Sequence, residues 1–599
     1  MRDPWPNLQP SPAAYIEAAR DLTPAERLFG ALRPMRVGVL ATFTVSWLPP
    51  YLTVEGARRG LRIDTWIGGY GQLEQPILDA SSDLWAARPD VIVLATRLED
   101  LSADAGRDRG TRHDAAGTQQ IDAAVGRVDA LVTAIRARHT APVVVADWAM
   151  SSTAQSMSAE CREGGLQLQR ANLALEARMA GHPDVFVFPA SQLAAEVGLD
   201  AWVDRRLEYV ARVPFSQAGQ MTVARGLART FRALVTPSRK CLVLDLDGTL
   251  WGGVLGEDGP SGIVLGHDYP GRVFRDLQRA ALDLRDRGIL LAVASKNHEA
   301  DVRAVMAEHP DMAIRWDDFA AHEVHWGDKA ESLRNIARRL NIGLDALAFY
   351  DDSPLERLWV DEQLPEVAVL DVPDEPWRRV NALLRSEVFD TVRISPEDRV
   401  RAALYAGEQA RADAAGVARS LDDFLKGLDI EVEMGAVDAS TMPRVVQLIS
   451  KTNQFNLTTR RRTEAELTSM LDAGAVCCWV RARDRFGDYG LVGVALAVRD
   501  EGSVGGWRLD LFLLSCRALG RQIEQALLCG ITDSLRARGG RTLVGEYLAT
   551  RRNEVAAGFF AAAGFERVDE GGRVWTLDLD RPLTPPPFVR IRKATSDVR

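Results

Sequence analysis

Short apolar runs alternate with longer amphipathic stretches twice along this chain, and that alternation constrains the fold most. In the first series, apolar runs suited to buried strands occupy residues 36–41, 91–96, 142–148 and 184–190. A helical pattern covers residues 121–139. Strands alternating with helices form parallel sheets, because each crossover between parallel strands requires a long connection. The series therefore predicts an α/β domain over residues 1–235.

The second series begins at Cys241. Its apolar runs cover residues 241–247, 289–295 and 347–352, and helical patterns cover residues 273–288 and 329–341. These runs predict a second parallel α/β domain over residues 236–390.

A different element order follows. A helical pattern at residues 395–414 leads to strand patterns at 430–437, 476–500 and 507–516 and a helix at 521–540. Helix, antiparallel strands and helix make an α+β domain over residues 391–583. The Pro-rich, basic residues 584–599 are predicted to form a loose tail. The fold class is thus a multidomain α/β protein.

Bulk composition excludes several functional classes. The 599 residues carry a net charge of −10, which argues against nucleic acid as the main partner. Six cysteines without zinc-ligand spacing fit a reducing compartment. Residues 1–20 lack the apolar core of a secretory signal, and no apolar run is long enough to span a membrane. We expect a cytoplasmic protein that does not bind membranes.

Two acids end the first strand of the second domain. The stretch KCLVLDLDGTL places Asp245 and Asp247 directly after apolar residues, with Thr249 close behind. A carboxylate at a strand end faces the crevice where open α/β sheets bind ligands. Asp245 can attack phosphorus as a nucleophile, and Asp247 can serve as general acid and base.

Three further polar groups follow later strands of the same domain. They are the stretch Ser295-Lys296-Asn297, Lys329, and the pair Asp351-Asp352. Ser295 can hold a phosphoryl oxygen, Lys329 can neutralise its charge, and the acid pair suits Mg²⁺. Each piece lies about one strand–helix unit after the previous one, so all can meet at one sheet edge. The alternative is that the acids only cap turns and helices.

These motifs resemble those of the haloacid-dehalogenase-like (HAD) phosphatases. The resemblance implies Asp245 as nucleophile and Asp247 as acid/base, with Thr249, Ser295, Lys296, Asn297 and Lys329 around the phosphoryl group. It also implies Mg²⁺ held by the Asp245 carboxylate, the Asp247 main-chain carbonyl, and Asp351 or Asp352. Residues 251–266 have room only for a hairpin flap, not for a separate cap domain.

The third domain carries a thiol before a turn. Cys516 ends the strand pattern, and Arg517, Gly520 and Arg521 lead into a helix. A helix N-terminus with nearby cations lowers the pKa of a thiol, so Cys516 can attack an acyl phosphate. The alternative is an ordinary buried cysteine, which is how we interpret Cys241, Cys477 and Cys478.

The same turn resembles the pyrophosphate-binding turn of N-acetyltransferase (GNAT)-like folds. Arg521 stands where that pattern favours a small residue. The turn therefore suits the single phosphate of a pantetheine arm better than coenzyme A.

The stretch KTNQFNLTTRR at residues 451–461 is rich in polar side chains. Lys451, Asn453, Asn456 and Arg460 can line a site for a polyanionic substrate. Alternatively, the stretch is a capped turn in which Thr458 or Thr459 leads into the next helix. His322 and His325, just before Lys329, are interpreted as residues behind the site or on the surface.

Several long strings together resemble the FkbH-like proteins. They include LDLDGTLWGGVLGEDG, ASKNHE, WGDKAES, DDSPLER, SKTNQFNLTTRR and LSCRALGRQIEQALL. The resemblance implies dephosphorylation of 1,3-bisphosphoglycerate and loading of the glyceryl group onto the phosphopantetheine of an acyl carrier protein, for polyketide biosynthesis. The alternatives are a stand-alone Mg²⁺-dependent phosphatase acting on a small phosphate ester or phosphoprotein, and a scaffold without activity.

The first domain resembles the SGNH hydrolases in its strand order. The stretch ATFTVS has no catalytic serine motif, and residues 211–224 contain no histidine. We therefore expect a non-catalytic domain, in which Thr42, Ser46 and Gln72 can still bind a ligand.

Overall fold

The computed structural model describes residues 3–101, 115–150, 159–392, 420–452, 454–500, 504–515, 518–550, 553–569 and 572–594. The chain divides into two compact units. The first consists of Met1–Gly252, Gly266–Ala280 and Leu344–Ile394, and the second of Gly253–Leu265, Ala281–Gly343 and Ser395–Arg599. Among the described residues, no helix combines the length and apolarity needed to cross a bilayer.

The first unit contains a five-stranded parallel sheet. Its strands are β1 (Arg33–Ala41), β2 (Leu61–Ile67), β3 (Val91–Ala95), β4 (Val143–Ala146) and β5 (Val185–Phe188). The strand order is β2-β1-β3-β4-β5, and all neighbours are parallel. This sheet confirms the predicted parallel α/β architecture.

Helices cover both faces of this sheet. They are Pro12–Ala18, Thr23–Phe29, Leu48–Ala57, Glu74–Leu78, Asp83–Ala86, Leu98–Leu101, Ala115–Arg136, Ala159–Met179, Ala190–Val197, Leu199–Trp202, Arg205–Ala211 and Gln217–Val235. Val37 and Val39 face one hydrophobic core, whereas Leu40 faces the other. Burial on both faces explains why the predicted strands read as continuous apolar runs. Strand β2 was not predicted, because this edge strand alternates buried and exposed residues.

Three more parallel strands belong to the first unit: β6 (Cys241–Leu244), β9 (Leu347–Tyr350) and β10 (Ala368–Val369). Strand β9 pairs with both β6 and β10. The helices Pro354–Gln363 and Pro376–Leu384 accompany them, and the helix Gly271–Asp286 contains residues of both units.

A short 3₁₀ helix, Glu387–Phe389, packs against the N-terminal part of the first unit. Arg59 donates to the Glu387 carboxylate at 2.6 and 2.8 Å, and Arg232 donates to the Glu387 carbonyl at 2.7 Å. Arg229 donates to Asp390 at 2.6 Å. Charge-assisted hydrogen bonds of this length are strong. The end of the predicted middle domain is thus held by arginines of the first domain.

The second unit contains the parallel pair β7 (Leu290–Ser295) and β8 (Ala321–Val324). It also contains a larger mixed sheet whose strands are β11 (Ile430–Ala436), β12 (Phe455–Asn456), β13 (Val476–Asp484), β14 (Gly487–Arg499), β15 (Gly506–Leu514), β16 (Thr542–Glu546), β17 (Glu566–Arg567), β18 (Val574–Asp578) and β19 (Val589–Lys593). The strand order is β17-β18-β16-β15-β14-β13-β11-β19, and β12 pairs with the end of β15.

Its helices are Leu255–Asp258, Glu299–Glu308, Lys329–Arg339, Leu421–Leu428, Met442–Lys451, Glu464–Asp472, Ile523–Arg536 and Phe559–Ala562. The antiparallel strands β11, β13, β14 and β15 confirm the predicted α+β plan. The helix predicted at residues 395–414 lies outside the described residues. The boundaries drawn at residues 235, 390 and 583 remain predictions.

The tail expected to be loose over residues 584–599 is partly ordered, which corrects that prediction. Strand β19 pairs in parallel with β11. Arg592 donates to Glu431 at 2.6 Å, and Arg590 pairs with Asp429 at 2.8 Å. The basic residues therefore serve as partners for two acids, one in β11 and one directly before it. Residues 595–599 lie beyond the described part.

Candidate active site

The two acids at the end of β6 are held by the turn that follows them. The Asp245 N–H donates to the Tyr350 carbonyl at 3.0 Å, which extends the β6–β9 pairing. The N–H groups of Thr249 and Leu250 both donate to the Leu246 carbonyl. Gly248 has a φ of +67°, a value that favours glycine. The chain can therefore turn directly after Asp247.

Asp245, Asp351 and Asp352 lie together as the sequence predicts. One carboxylate oxygen from each lies within 4.8 Å of the others. Asp351 is fully buried. Burial raises the pKa of Asp352, and the neighbouring Asp245 charge raises it further. Clustered carboxylates repel one another unless a cation neutralises them, and hard oxygen ligands are those that Mg²⁺ prefers. These residues therefore fit a magnesium ion.

Local hydrogen bonds orient the acid pair. Thr249 Oγ1 donates to Asp352 Oδ1 and accepts from the Asp352 N–H, both at 3.2 Å. The Ser353 N–H donates to Asp351 Oδ1 at 2.9 Å. Ser353 also caps the helix Pro354–Gln363, so the acid pair sits on a rigid strand-to-helix turn.

Glycine at position 248 is required for a second reason. A Cβ atom there would lie 2.3 Å from Asp352 Oδ2. The close approach of the two loops therefore depends on the missing side chain.

Asp247 is oriented differently from the other acids. Its Oδ1 accepts a hydrogen bond from Trp251 Nε1 at 2.8 Å, and its carboxylate is not part of the three-acid cluster. A carboxylate held apart from the cluster is suited to proton transfer. The metal contact through its main-chain carbonyl stays a prediction.

Three residues of this site were missed by sequence reasoning. Trp251 orients Asp247, and Arg357 donates to the carbonyls of Asp351 and Asp352 at 2.7 and 2.8 Å. Arg379 donates to the Gly248 carbonyl at 2.6 Å. Trp251 lies four residues after Asp247 and could have been found from that spacing.

Within the second unit, Ser295, Asn297 and Lys329 form a buried polar group at the end of β7. Asn297 Nδ2 donates to Ser295 Oγ at 3.2 Å, and Lys329 Nζ donates to the Ala294 carbonyl at 2.6 Å. Lys329 begins a helix capped by Asp328. Lys296 is exposed. The structure thus gathers three of the predicted phosphoryl ligands.

The two histidines before Lys329 have different contacts. His322 stacks on Trp316 with ring centroids 3.8 Å apart, and its Nε2 lies 3.0 Å from the Trp316 carbonyl. His325 pairs with Glu323 at 3.1 Å, and its side chain is 44% exposed.

The predicted acyl-transfer residues are only partly described. Cys516, Arg517 and Asn453 lie outside the described residues, as does the side chain of Lys451. Gly520 and Gln522 have φ values of +73° and +60°, and the helix Ile523–Arg536 begins directly afterwards. Arg521 is buried with its guanidinium 5.1 Å from the centre of the Tyr489 ring. Cys241, Cys477 and Cys478 are buried as predicted.

The polar stretch near residue 456 is held by acids of the neighbouring strands. Arg460 bridges Asp510 of β15 and Glu546 of β16, at 3.3 and 2.6 Å. Arg462 also pairs with Asp510, at 2.9 Å, and Asp510 is 2% exposed. Both guanidinium groups are therefore neutralised within the protein.

The alternative interpretation, a capped turn leading into the next helix, agrees with the local hydrogen bonds. Thr458 Oγ1 donates to the Asp510 carbonyl at 2.8 Å, and the following helix is capped by Thr463 through a capping box with Glu466. Asn456 is fully buried, and its Oδ1 accepts from the Thr459 N–H at 2.9 Å.

Parts of this chain are similar to known proteins. Residues 36–225 match the family model described as the FkbH N-terminal domain. A solved structure of the N-terminal part of BF1531 from Bacteroides fragilis, described as containing a phosphatase domain complexed with Mg, is 25% identical with a TM-score of 0.55. That match covers 64% of this chain and 99% of the other. Among curated proteins, no match is found.

Two GNAT-family proteins also match. One from Desulfovibrio desulfuricans is 17% identical, and an acetyltransferase from Staphylococcus aureus Mu50 is 12% identical. Each match covers 25% of this chain and 99% of the other, with a TM-score of 0.20. Scores this low do not define the fold of the C-terminal part. The match of residues 36–225 to the FkbH N-terminal domain and the likeness to BF1531 support an FkbH-like protein.

Proposed function

We propose that this protein dephosphorylates 1,3-bisphosphoglycerate with Mg²⁺ and loads the glyceryl group as a thioester on the phosphopantetheine of an acyl carrier protein. The observation that carries the phosphatase part is the cluster of Asp245, Asp351 and Asp352 beside the separately held Asp247. The Mg-bound phosphatase domain of the BF1531 relative supports it.

In the phosphatase step, Asp245 attacks phosphorus and the bond from phosphorus to the ester oxygen breaks. Asp247 gives its proton to the leaving oxygen, and Asp245 then carries the phosphoryl group. Asp247 next takes a proton from water, which attacks phosphorus and releases phosphate. Bound Mg²⁺ would supply charge neutralisation at Asp245, Asp351 and Asp352. Ser295, Asn297 and Lys329 are the proposed ligands of the phosphoryl oxygens.

In the acyl-transfer step, a thiolate attacks the carbonyl carbon of the acyl phosphate and expels the second phosphate. We assign the first attack to Cys516 and the second to the pantetheine thiol, which takes the acyl group from Cys516. The αL turn at Gly520–Gln522 before a helix N-terminus supports a phosphate contact for the pantetheine arm. We also propose that residues 391–583, which would carry out this step, have a GNAT-like fold.

The direct test is incubation of the full chain with 1,3-bisphosphoglycerate, Mg²⁺ and a holo-carrier protein, followed by intact-mass measurement of the carrier. We expect a glyceryl adduct from the wild type and none from Cys516→Ser. Asp245→Asn should abolish release of the ester phosphate. Phosphate release without any adduct on the carrier would favour a stand-alone phosphatase.

A further inference from the structure

A pocket lies at the carboxyl ends of the parallel strands in the N-terminal sheet. Its lining includes Phe43 beyond β1, Thr96 beyond β3, Asp147 beyond β4 and Ala190 beyond β5. The strand order β2-β1-β3-β4-β5 reverses direction between β1 and β3. Open α/β sheets bind ligands at the carboxyl edge beside such a reversal. The pocket is therefore placed where this architecture offers a binding site.

Four aromatic side chains, those of Phe43, Trp148, Trp202 and Phe215, contribute to the walls of the pocket. Trp148 and Trp202 are each 2% exposed. Phe215 packs edge-on against Phe43 and Trp202, with ring centroids 5.4 and 5.2 Å apart. Aromatic walls fixed by such contacts form a preorganised apolar site.

The two charged residues in the lining already have partners. Arg97 pairs with Glu99 and, at 2.8 Å, with Glu208. Asp147 accepts hydrogen bonds from the hydroxyl and, at 2.7 Å, the N–H of Ser191. An anionic ligand would lose its hydration here without gaining an unpaired cation, and it would face the Asp147 carboxylate. The pocket therefore disfavours phosphates and carboxylates.

The lining also offers the hydroxyl of Thr96 to a ligand. Thr96 Oγ1 accepts a hydrogen bond from Trp148 Nε1 at 3.1 Å, and Thr96 is 5% exposed. Among the described residues, no acceptor is found for the Thr96 hydroxyl hydrogen. A buried donor of this kind gains most from a carbonyl oxygen.

We propose that this pocket binds a small neutral ligand with an apolar body and one carbonyl acceptor, such as a short acyl chain in an amide, ester or thioester. The Thr96 hydroxyl donates to the carbonyl, and the body packs between Phe43, Trp148 and Trp202. Thr42, Ser46 and Gln72, expected as possible ligand contacts, are not in the lining; Thr42 Oγ1 instead accepts from the Arg97 N–H at 3.1 Å. This site is independent of the proposed phosphatase and transfer chemistry.

The test uses the full chain and three probes of equal length: pentanamide, pentanoate and pentylammonium. Binding is measured by saturation-transfer NMR and titration. We expect pentanamide alone to bind. Ala190→Leu or Ala149→Leu, which fill the pocket, should reduce its signal to background, and thermal unfolding checks that each variant is folded.

The polar contact is tested at Thr96. Thr96→Val should weaken pentanamide binding about tenfold, roughly the effect of one hydrogen bond. Thr96→Ser, which keeps the hydroxyl, should restore it. Thr44→Val is the matched control outside the lining and should bind like the wild type. No pentanamide binding, equal binding of a charged probe, or unchanged binding in both leucine variants would each overturn the proposal.

Discussion

The indole Nε1 of Trp251 lies 2.8 Å from Asp247 Oδ1 and donates to it. This bond fixes the carboxylate that we assign to proton transfer, whereas the other acids cluster around the proposed ion. Trp251 is fully buried, so the donor of this bond is shielded from water. Trp251 is thus a positioning residue that acts through Asp247.

Trp251→Phe should slow phosphate release about tenfold, because Asp247 loses the bond that orients it. The steady-state rate with p-nitrophenyl phosphate measures the effect, and we expect the change in kcat rather than in KM. Trp85→Phe is the matched control, since the Trp85 indole N–H makes no hydrogen bond among the described residues. Equal slowing in both variants would argue against the positioning role.

Removal of Mg²⁺ should lower the thermal stability of the wild type, because an ion bound only by the folded state stabilises it. Asp351→Asn should lose this Mg²⁺-dependent shift in Tm. It should be no less stable than the wild type in EDTA, since one of three repelling charges is gone. Glu362→Gln changes an exposed acid near the end of the helix Pro354–Gln363, and it should keep the shift. A full shift in Asp351→Asn would remove that residue from the proposed metal site.

Gly248→Ala should weaken Mg²⁺ binding, because its Cβ would lie 2.3 Å from Asp352 Oδ2. Gly259→Ala offers a matched control: its φ is +71°, and a Cβ there meets nothing within 4 Å. Both variants should lose about 1 kcal/mol of stability from backbone strain. Calorimetric titration should show weaker Mg²⁺ binding in Gly248→Ala than in Gly259→Ala. Similar Mg²⁺ affinities of the two variants would contradict the proposed clash between the new Cβ and Asp352.

Asp510→Ala should cost about 3 kcal/mol of unfolding free energy, because it leaves Arg460 and Arg462 without their shared, 2% exposed partner. Urea denaturation measures this loss. Asp533→Ala removes an ion pair whose acid is 56% exposed, and it should cost less than about 1 kcal/mol. A small loss of unfolding free energy in Asp510→Ala would show that water can replace Asp510 as the partner of the two arginines.

His322 should make the protein less stable in mild acid. Burial lowers the pKa of His322 below its ordinary value of 6.5, and the nearby arginines Arg339 and Arg303 lower it further. Below pH 6.5 the unfolded chain then binds a proton that the folded chain resists, so stability is lost as pH falls. His322→Phe keeps a ring against Trp316 and should reduce this loss. Urea unfolding above and below that pH measures it; an unchanged loss would exclude His322.

Sequence reasoning located the acids because each follows a strongly apolar strand, and strand ends of a parallel sheet meet at one edge. It missed Arg379, whose acceptor Gly248 is remote along the chain and leaves no local pattern. It also missed two strands, β2, in which buried and exposed residues alternate, and β8, whose two central residues are polar. The arginines of strand β19 form ion pairs with acids in residues 429–431, which are remote along the chain. The sequence of β19 alone therefore does not predict a strand.

The arginines that hold Glu387 and Asp390 have a consequence for exchanging parts between related proteins. Arg59, Arg229 and Arg232 all belong to the first 235 residues, yet their partners follow the phosphatase strands. A phosphatase segment transplanted alone would leave three guanidinium groups facing a foreign sequence. The two segments are therefore expected to be inherited and engineered as one module.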